Sequence, residues 1–227
     1  MELDLVLKKL KRKKELQDIQ DNIIITRVNE SSILNLNPRS KAFKLKFKEL
    51  RRKLREVYGV FRQVKEQRDI KVYNKIFNET KVNTILDLGS GLEPLNYAKQ
   101  GNLTYYCIDI SKDIVKEINM YFKYNNIKGK AFLFSLVDNN LDKLPKVDIC
   151  LALKLLESLE TIKKDISKKL LKEIKAKYIL VSFSKKSLAG KRIRKAGRSW
   201  FRRLLKKLNY NYNVFDYGDE IFFLIRK

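Results

Sequence analysis

The sequence contains no histidine and little of three other residue types: 3 prolines, 8 glycines and 2 cysteines among 227 residues. The absence of histidine excludes histidine metal sites, histidine general bases and serine–histidine triads. Both cysteines, Cys107 and Cys150, lie in apolar runs typical of strands, which favours a reduced, cytoplasmic protein. No apolar run approaches the roughly 20 residues of a membrane helix, and the N-terminus lacks the features of a signal peptide.

Acidic residues are scarce relative to basic ones. The 26 Asp and Glu residues stand against 51 Lys and Arg, which leaves a net charge of +25. Such an excess attracts polyanions, so nucleic acid is the first candidate partner and an anionic membrane surface the second. The length suits one sizeable domain or a core domain with a small addition, and a hydrophobic fraction of 44% is sufficient for a core.

The first part of the chain predicts a basic helical subdomain over residues 1–80. Residues 1–20 form a basic amphipathic pattern, and Pro38 separates them from a second helical pattern over 40–67, in which Gly59 favours an interruption. A further helix is expected to end near Thr80.

From Val82 onward, predicted strands alternate with predicted helices, which indicates a doubly wound, mostly parallel sheet. Single helices are expected from Pro94, over 111–127, over 158–176 and over about 193–208. The last residues predict an antiparallel hairpin around Tyr217-Gly218-Asp219. A terminal hairpin added to such a sheet is the mark of class I (Rossmann-like) methyltransferases, so we assign residues 81–227 to that α/β fold. The five preceding strands are predicted at VNTILDLG, LTYYCIDI, KAFLFSLV, VDICLALK and KYILVSFS.

Two of the few glycines follow the first of these strands as Gly89-x-Gly91, in ILDLGSGLEPL. Ligands of doubly wound sheets bind beyond the carboxyl ends of the strands, and glycines there allow a ligand to approach the backbone. The second strand ends in Asp109, whose carboxylate can accept both ribose hydroxyls of an adenosine, and the third in Asp138-Asn139, which can read an adenine edge. The third glycine of the dinucleotide fingerprint is missing. S-adenosylmethionine is the cofactor that best matches this set.

The same segments resemble the aminoglycoside-resistance methyltransferases that modify a guanine N7 in 16S ribosomal RNA, or a housekeeping relative of them. LDLGSGLEPL resembles their D-L-x-x-G-L-N-P-L, CIDIS their A-S-D-I-D, and LALKLLESLE their L-L-L-K-x-L-P-C-L-E. VSFSKKSLAGK is similar to V-[ST]-F-P-T-K-S-L-G-x-R, and GDEIFFLIRK to the closing G-N-E-L-I-Y-V-I-x-K. Glu93 replaces the family's asparagine and Ser184 replaces a proline. The counterpart of the family's S-T-R-E-R segment is at best Lys65-Glu66-Gln67-Arg68.

The resemblance implies a 16S rRNA methyltransferase that acts at a guanine N7 in the decoding-site helix of the small ribosomal subunit and potentially confers aminoglycoside resistance. It also implies site residues. The cofactor contacts that it implies are Gly89, Gly91, Asp109, Ile110, Asp138, Asn139 and Leu153, to which we add Asp87 at the end of the first strand. The residues that position the target are Lys154, Lys186, Ser187 and Lys191.

The residues at the strand ends leave several reactions open. Methylation at pyrimidine carbon 5 needs a cysteine nucleophile, but both cysteines are expected inside strands. Ribose 2′-hydroxyl methylation needs a deprotonating set that Lys154, Glu157 and Lys186 could imitate in part. Guanine N7 already carries an in-plane lone pair and needs only to be held near the methyl group, so no general base is assigned. A non-catalytic RNA-binding ribosome assembly factor on the same fold is the alternative from another class.

Residues 184–208 hold eleven basic residues and no acid, and they predict a surface that binds RNA phosphates together with the N-terminal helices. Trp200 within this segment is expected in the core. We expect the small ribosomal subunit and its 16S rRNA as partner, with no membrane, no metal and a monomer as the default. The predicted RNA contacts are Lys185, Lys186, Lys191, Arg192, Arg194, Lys195, Arg198, Arg202, Arg203, Arg51, Arg52 and Arg55.

Overall fold

A computed structural model of the chain describes residues 3–13, 16–17, 21–55, 68–98, 102–186, 193 and 198–227. Helices and strands alternate in its second part, as the sequence predicts. The helices are α1 (Leu3–Lys11), α2 (Asp21–Glu30), α3 (Lys41–Leu54), α4 (Ile70–Thr80), α5 (Pro94–Tyr97), α6 (Lys112–Tyr124), α7 (Leu156–Ile162), α8 (Ile166–Glu173) and α9 (Ser199–Lys207). The strands are β1 (Thr84–Leu88), β2 (Thr104–Asp109), β3 (Gly129–Leu133), β4 (Val147–Leu153), β5 (Ala176–Ser184), β6 (Asn211–Tyr217) and β7 (Glu220–Arg226).

The strands form one seven-stranded sheet in the order β3-β2-β1-β4-β5-β7-β6. Strands β1 to β5 pair in parallel, whereas β7 is antiparallel to both β5 and β6. The C-terminal hairpin turns at Gly218, whose φ of +54° suits glycine. The predicted class I methyltransferase fold, including its inserted terminal hairpin, is confirmed.

Three hydrophobic clusters account for the packing of the residues that the structure describes. Two of them cover the opposite faces of the sheet, and the third lies among α1, α2 and α3, where Leu10, Ile24 and Phe43 are buried. Helix α4, which we expected in the N-terminal subdomain, buries Tyr73 and Ile76 in one of the sheet clusters. The packing of the sheet domain therefore begins before residue 81.

Two predicted elements are shorter or broken for local reasons. The helix expected over 158–176 is two helices, because Asp165 between them has a φ of +62° and the Glu160 carboxylate accepts the backbone N–H groups of Asp165 and Ser167 at 2.9 and 2.8 Å. The third strand was expected to reach Val137 but ends at Leu133, because a turn closed by Ser135 follows it.

Other boundaries agree more closely with the sequence. Ser111 caps α6, as predicted, by accepting the Ile114 N–H at 3.4 Å. The basic helix expected from residue 193 begins at Ser199, after Arg198 in the left-handed conformation with a φ of +51°. The helical pattern beyond residue 55 and the predicted interruption at Gly59 lie outside the described residues. Among the described residues, no helix is both long and apolar enough to span a bilayer.

Candidate active site

The carboxyl ends of β1, β2 and β4 meet at one edge of the sheet, where the strand order reverses on either side of β1. Such a switch point is where doubly wound sheets bind ligands. Gly89 and Gly91 follow β1, Asp109 ends β2, and Leu153 ends β4. Four of the predicted cofactor residues therefore lie at one edge of the sheet.

The turn after β1 needs its glycines for different reasons. Both have left-handed backbones, with φ of +60° at Gly89 and +54° at Gly91. A Cβ at Gly89 would meet Leu155 Cδ1 at 3.0 Å, whereas a Cβ at Gly91 would meet nothing within 4 Å. Gly91 thus borders open space, and a side chain there would fill it.

Asp109 is tied directly to this turn. Its Oδ2 accepts the Gly91 N–H at 3.1 Å and its Oδ1 accepts the Ser111 N–H at 2.8 Å. An ionised carboxylate is a hydrogen-bond acceptor of the kind that the hydroxyls of a ribose need. The open turn and the fixed carboxylate fit the cofactor that the sequence predicts.

The Ser135–Asn139 turn stands beside Asp109. Phe134 donates its N–H to the Asp109 carbonyl at 2.9 Å, which joins the end of β3 to the end of β2. Ser135 Oγ donates to Asp138 Oδ2 at 2.6 Å, and Asn139 Oδ1 accepts the Ser135 N–H at 2.6 Å. Asp138 and Asn139 are therefore held in a tight turn next to Asp109, although that turn begins beyond the strand.

Asp87 occupies a different position from the one we expected. It is 2% exposed, and its Oδ2 accepts the Tyr97 hydroxyl at 2.7 Å. Burial raises the pKa of Asp87 to about 7, against the opposing effects of the Tyr97 hydrogen bond and the Arg68 charge. Because its carboxyl is enclosed and bonded to Tyr97, we correct its role from cofactor contact to a structural residue of the core.

Ile110 and Leu153 flank the same edge. Both side chains are half-buried; Leu153 packs on the sheet cluster and Ile110 on the cluster of α1, α2 and α3. The N-terminal helices therefore reach the residue that directly follows Asp109.

Lys154 follows β4 with a left-handed backbone, φ +50°. Its N–H points to Ser182 O at 3.0 Å, and its Nζ lies 3.4 Å from Glu220 Oε1. Glu220 Oε1 also accepts a hydrogen bond from Arg68 Nε at 2.9 Å. The Arg68 guanidinium in turn forms an ion pair with Glu93 at 3.8 Å. We did not single out Glu220 from the sequence. Its one signal was an acid at the start of the apolar strand EIFFLIR, where an unpaired carboxylate would be costly.

The basic segment after β5 is described in part. Lys185 Nζ lies 3.6 Å from Asp216 Oδ2, and Lys186 Nζ donates to Asp219 Oδ2 at 2.7 Å, so both are paired with acids of the C-terminal hairpin. The remaining predicted residues of this segment lie outside the described residues, namely Ser187, Lys191, Arg192, Arg194 and Lys195.

Arg198 is a structural residue and not a solvent-facing cation. It is 5% exposed, its guanidinium lies 5.4 Å from the centre of the Phe183 ring, and it donates to the Ser184 carbonyl at 2.7 Å. Its Nε lies 3.0 Å from Glu157 Oε1. Because the Arg198 guanidinium is buried and paired within the chain, we remove Arg198 from the predicted RNA contacts.

Other predicted RNA contacts face outward to different degrees. Arg203 is exposed on α9, whereas Arg202 stacks its guanidinium 5.1 Å from the centre of the Phe223 ring. Arg52 and Arg55 are exposed at the end of α3, and Arg51 is half-buried there. Trp200 is half-buried and meets Phe183 edge-on at 5.8 Å, which agrees with its expected place at the core.

The two cysteines are enclosed in the sheet. Both Cys107 and Cys150 are fully buried, and burial raises the pKa of each thiol well above its usual range. Because the thiolate is the nucleophilic form, neither can attack a pyrimidine carbon. The expectation of core cysteines is confirmed.

Comparison with known proteins agrees with this architecture. A family model described as Ribosomal RNA methyltransferase (FmrO) matches residues 48–202. No curated protein sequence matches the chain. Among solved structures, the 16S rRNA methylase RmtB superposes with a TM-score of 0.79 at 17% identity, covering 100% of this chain and 99% of that chain. The 16S rRNA methyltransferase RmtF in complex with S-adenosyl-L-homocysteine superposes with a TM-score of 0.77 at 19% sequence identity, covering 100% of this chain and 99% of that chain. An rRNA methylase from Escherichia coli superposes with a TM-score of 0.73 at 16% sequence identity, covering 100% of both chains.

Proposed function

The chain belongs to the ribosomal RNA methyltransferase (FmrO) family, and from this premise we propose that it methylates a guanine N7 in the decoding-site helix of 16S rRNA, with S-adenosylmethionine as methyl donor. The observation that carries the proposal is the hydrogen bond from the Gly91 N–H to Asp109 Oδ2, which joins an open glycine turn to a fixed carboxylate. The 16S specificity is supported by RmtB and RmtF, two proteins of the same fold that modify 16S rRNA.

The proposed cofactor site is built from the residues at the switch point. Asp109 holds the ribose hydroxyls, and the turn at Gly89 and Gly91 lets the backbone approach the cofactor. Asp138 and Asn139 bind the adenine edge, while Ile110 and Leu153 flank it. When bound, S-adenosylmethionine supplies a methyl group on a positively charged sulfur, and the protein's task is to align the acceptor with that group.

The pairing of the acids near the site supports guanine N7 as acceptor. Glu157 pairs with Arg198, and Glu220 pairs with Arg68 and Lys154, so both have cationic partners within the protein. A ribose hydroxyl needs a base to remove its proton, whereas N7 attacks with its existing lone pair. The three residues that could imitate a ribose-methylating set, Lys154, Glu157 and Lys186, are each paired with a different residue. We therefore assign no general base.

The proposed RNA surface combines the end of α3 with α9 and the basic segment before it. Arg52, Arg55 and Arg203 are exposed cations, and a net charge of +25 supplies long-range attraction to phosphates. Because such attraction has little sequence preference, target choice requires folded rRNA, and an assembled small subunit is the proposed substrate. In this scheme α1–α3 form an RNA-binding unit, and Lys154 and Lys186 position the target.

One experiment tests acceptor and atom together. Small ribosomal subunits from an aminoglycoside-sensitive bacterium are incubated with the protein and tritiated S-adenosylmethionine, and the rRNA is cleaved with borohydride and aniline, which cut at 7-methylguanosine. A cut in the decoding-site helix is the expected result, and expression in the same bacterium should then raise its resistance to aminoglycosides. Incorporation without a cut would move the acceptor to another atom, with the ribose 2′-hydroxyl tested next. No incorporation in subunits, despite cofactor binding, would refute the proposed substrate.

A further inference from the structure

A buried carboxylate connects the residue that would position the target to the rest of the site. Glu220, 7% exposed at the start of β7, accepts the Ser182 hydroxyl at 2.6 Å and Arg68 Nε at 2.9 Å. The Lys154 ammonium lies 3.4 Å from the same Oε1 that binds Arg68. One carboxylate is therefore shared by two cations from distant parts of the chain.

Lys154 is held at both of its ends. Its backbone N–H lies 3.0 Å from Ser182 O and 3.1 Å from Ser182 Oγ, and its ammonium contacts Glu220. Ser182 in turn donates its hydroxyl to Glu220, so the same two residues fix the backbone and the side chain of Lys154. The Lys154 side chain is nevertheless 26% exposed, so it is not sealed in the interior.

The charge network continues from Glu220 to the glycine turn. Arg68 NH1 lies 3.8 Å from Glu93 Oε2, and the Arg68 N–H donates to Glu93 Oε1 at 3.1 Å. Tyr73 also donates its hydroxyl to Glu93, at 2.8 Å. Glu93 lies two residues after Gly91, so two acids and two cations connect the cofactor turn with Lys154. Balanced charges of this kind are tolerated when buried because each compensates another.

We propose that Glu220 is a positioning residue that orients the Lys154 ammonium toward the rRNA target and joins it, through Arg68, to the cofactor turn. This inference rests on the proposed function, in which Lys154 contacts the target. Glu220 itself acts through Lys154 and has no direct contact with the reacting atoms. Its removal should therefore lower turnover more than cofactor affinity.

The test is a double-mutant cycle between Glu220→Gln and Lys154→Met, with turnover measured on small ribosomal subunits and cofactor affinity by calorimetry. Glu220→Gln keeps the size of the side chain and an acceptor for Ser182, but it removes the charge. We expect about a tenfold loss of kcat, with cofactor Kd changed less than about threefold. In the Lys154→Met background the same change should cost less than about twofold, because Lys154 can no longer be positioned. Full, multiplicative losses in the double variant would overturn the proposal.

A second measurement needs no rRNA substrate. Lys154 is labelled with an amine-acylating reagent in the full chain, and its modification is quantified by peptide mass spectrometry. Loss of the carboxylate should raise the rate at Lys154 about threefold or more in Glu220→Gln, because a lysine in an ion pair reacts less readily. Glu173→Gln, which removes a partner of Lys169 on α8, is the matched control and should leave the Lys154 rate unchanged. Equal rates in wild type and Glu220→Gln would refute the positioning role.

These readouts separate the inference from the function on which it rests. If wild-type protein methylates no small subunit, the proposed function fails, while the labelling of Lys154 still decides whether Glu220 holds it. If Glu220→Gln does not fold, Glu220→Asp takes its place in both assays, because it keeps the charge that compensates Arg68 but shortens the reach to Lys154. In that variant, turnover should lie between wild type and Lys154→Met, and Lys154 should be labelled faster than in wild type. Wild-type values in both assays would refute the proposal.

Discussion

Arg68 Nε lies 2.9 Å from Glu220 Oε1, although 152 residues separate them in the chain. The next residue, Asp69, accepts the Tyr217 hydroxyl at 2.6 Å. The start of the catalytic core is thus fastened to the C-terminal hairpin by two adjacent contacts, one buried and one exposed. The buried contact also lies beside the proposed site, so it links the stability of the fold to the geometry of the strand ends.

This relationship predicts unequal costs for its two contacts. Arg68→Met should lower the free energy of unfolding by about 3–5 kcal/mol, because it leaves the buried carboxylates of Glu93 and Glu220 without their shared cation. Tyr217→Phe removes the exposed hydrogen bond and should cost less than about 1 kcal/mol. Urea unfolding of both variants measures the difference, and similar losses would show that the buried network contributes little.

The glycine turn predicts that Gly91→Ala weakens cofactor binding in addition to destabilising the backbone. Gly91 and Gly218 share a φ of +54°, and a Cβ at either would meet nothing within 4 Å. Alanine at either position should therefore destabilise by a similar amount, about 1 kcal/mol. Only Gly91→Ala should weaken S-adenosylmethionine binding, by about tenfold or more in calorimetry. Unchanged affinity in Gly91→Ala would move the cofactor away from this turn.

Asp109→Ala should abolish cofactor binding while RNA affinity stays nearly unchanged. The carboxylate holds the Gly91 N–H and is assigned to the ribose, whereas the proposed phosphate contacts lie on α3 and α9. Calorimetry with the cofactor and fluorescence polarisation with a 16S rRNA fragment measure the two affinities separately. An equal loss of both would contradict the assignment of Asp109 to the cofactor.

Asp87 predicts a particular dependence of stability on pH. Its folded pKa of about 7 lies above the ordinary value of 3.8, so ionising it opposes folding. The wild-type free energy of unfolding should therefore fall relative to Asp87→Asn as pH rises from about 4 through 7, by up to ~4 kcal/mol. Urea unfolding of both proteins across this range gives the difference, in which titrations common to both cancel. A constant difference would show that Asp87 titrates normally.

Arg198 and Arg203 predict opposite effects on stability and RNA binding. Arg203→Gln changes an exposed residue, so it should spare stability but reduce the slope of log affinity against log salt by about 0.7–0.9 if Arg203 contacts one phosphate. Arg198→Gln breaks its contacts with Glu157 and Ser184 and should lower the free energy of unfolding by about 2 kcal/mol. Salt titrations of rRNA binding and thermal unfolding distinguish the two, and an unaltered slope in Arg203→Gln would remove α9 from the interface.

The sheet was predictable because its determinants are local. Buried parallel strands such as Ile85–Leu88 are continuous apolar runs, and the glycine turn and the Ser111 cap each follow from residues close in sequence. The break between α7 and α8 was not predicted, because a lysine-rich amphipathic pattern continues through it and only the capping carboxylate of Glu160 interrupts it. The same limit applies to β3, whose end depends on the side-chain bonds of Ser135.

The sequence by itself determined the fold class, the place of Asp109 and Gly91 at one edge of the sheet, and the basic character on which the proposed RNA binding rests. These follow from periodicity, from residues at strand ends and from charge, which are properties of neighbouring residues or of the whole composition. Only the tertiary structure decided that Asp87 is enclosed and that Arg198 is buried against Glu157 and Ser184. It also decided that Glu220 contacts both Arg68 and Lys154. Burial and pairing depend on residues far apart in the chain, and no local pattern specifies which cation a buried carboxylate will meet.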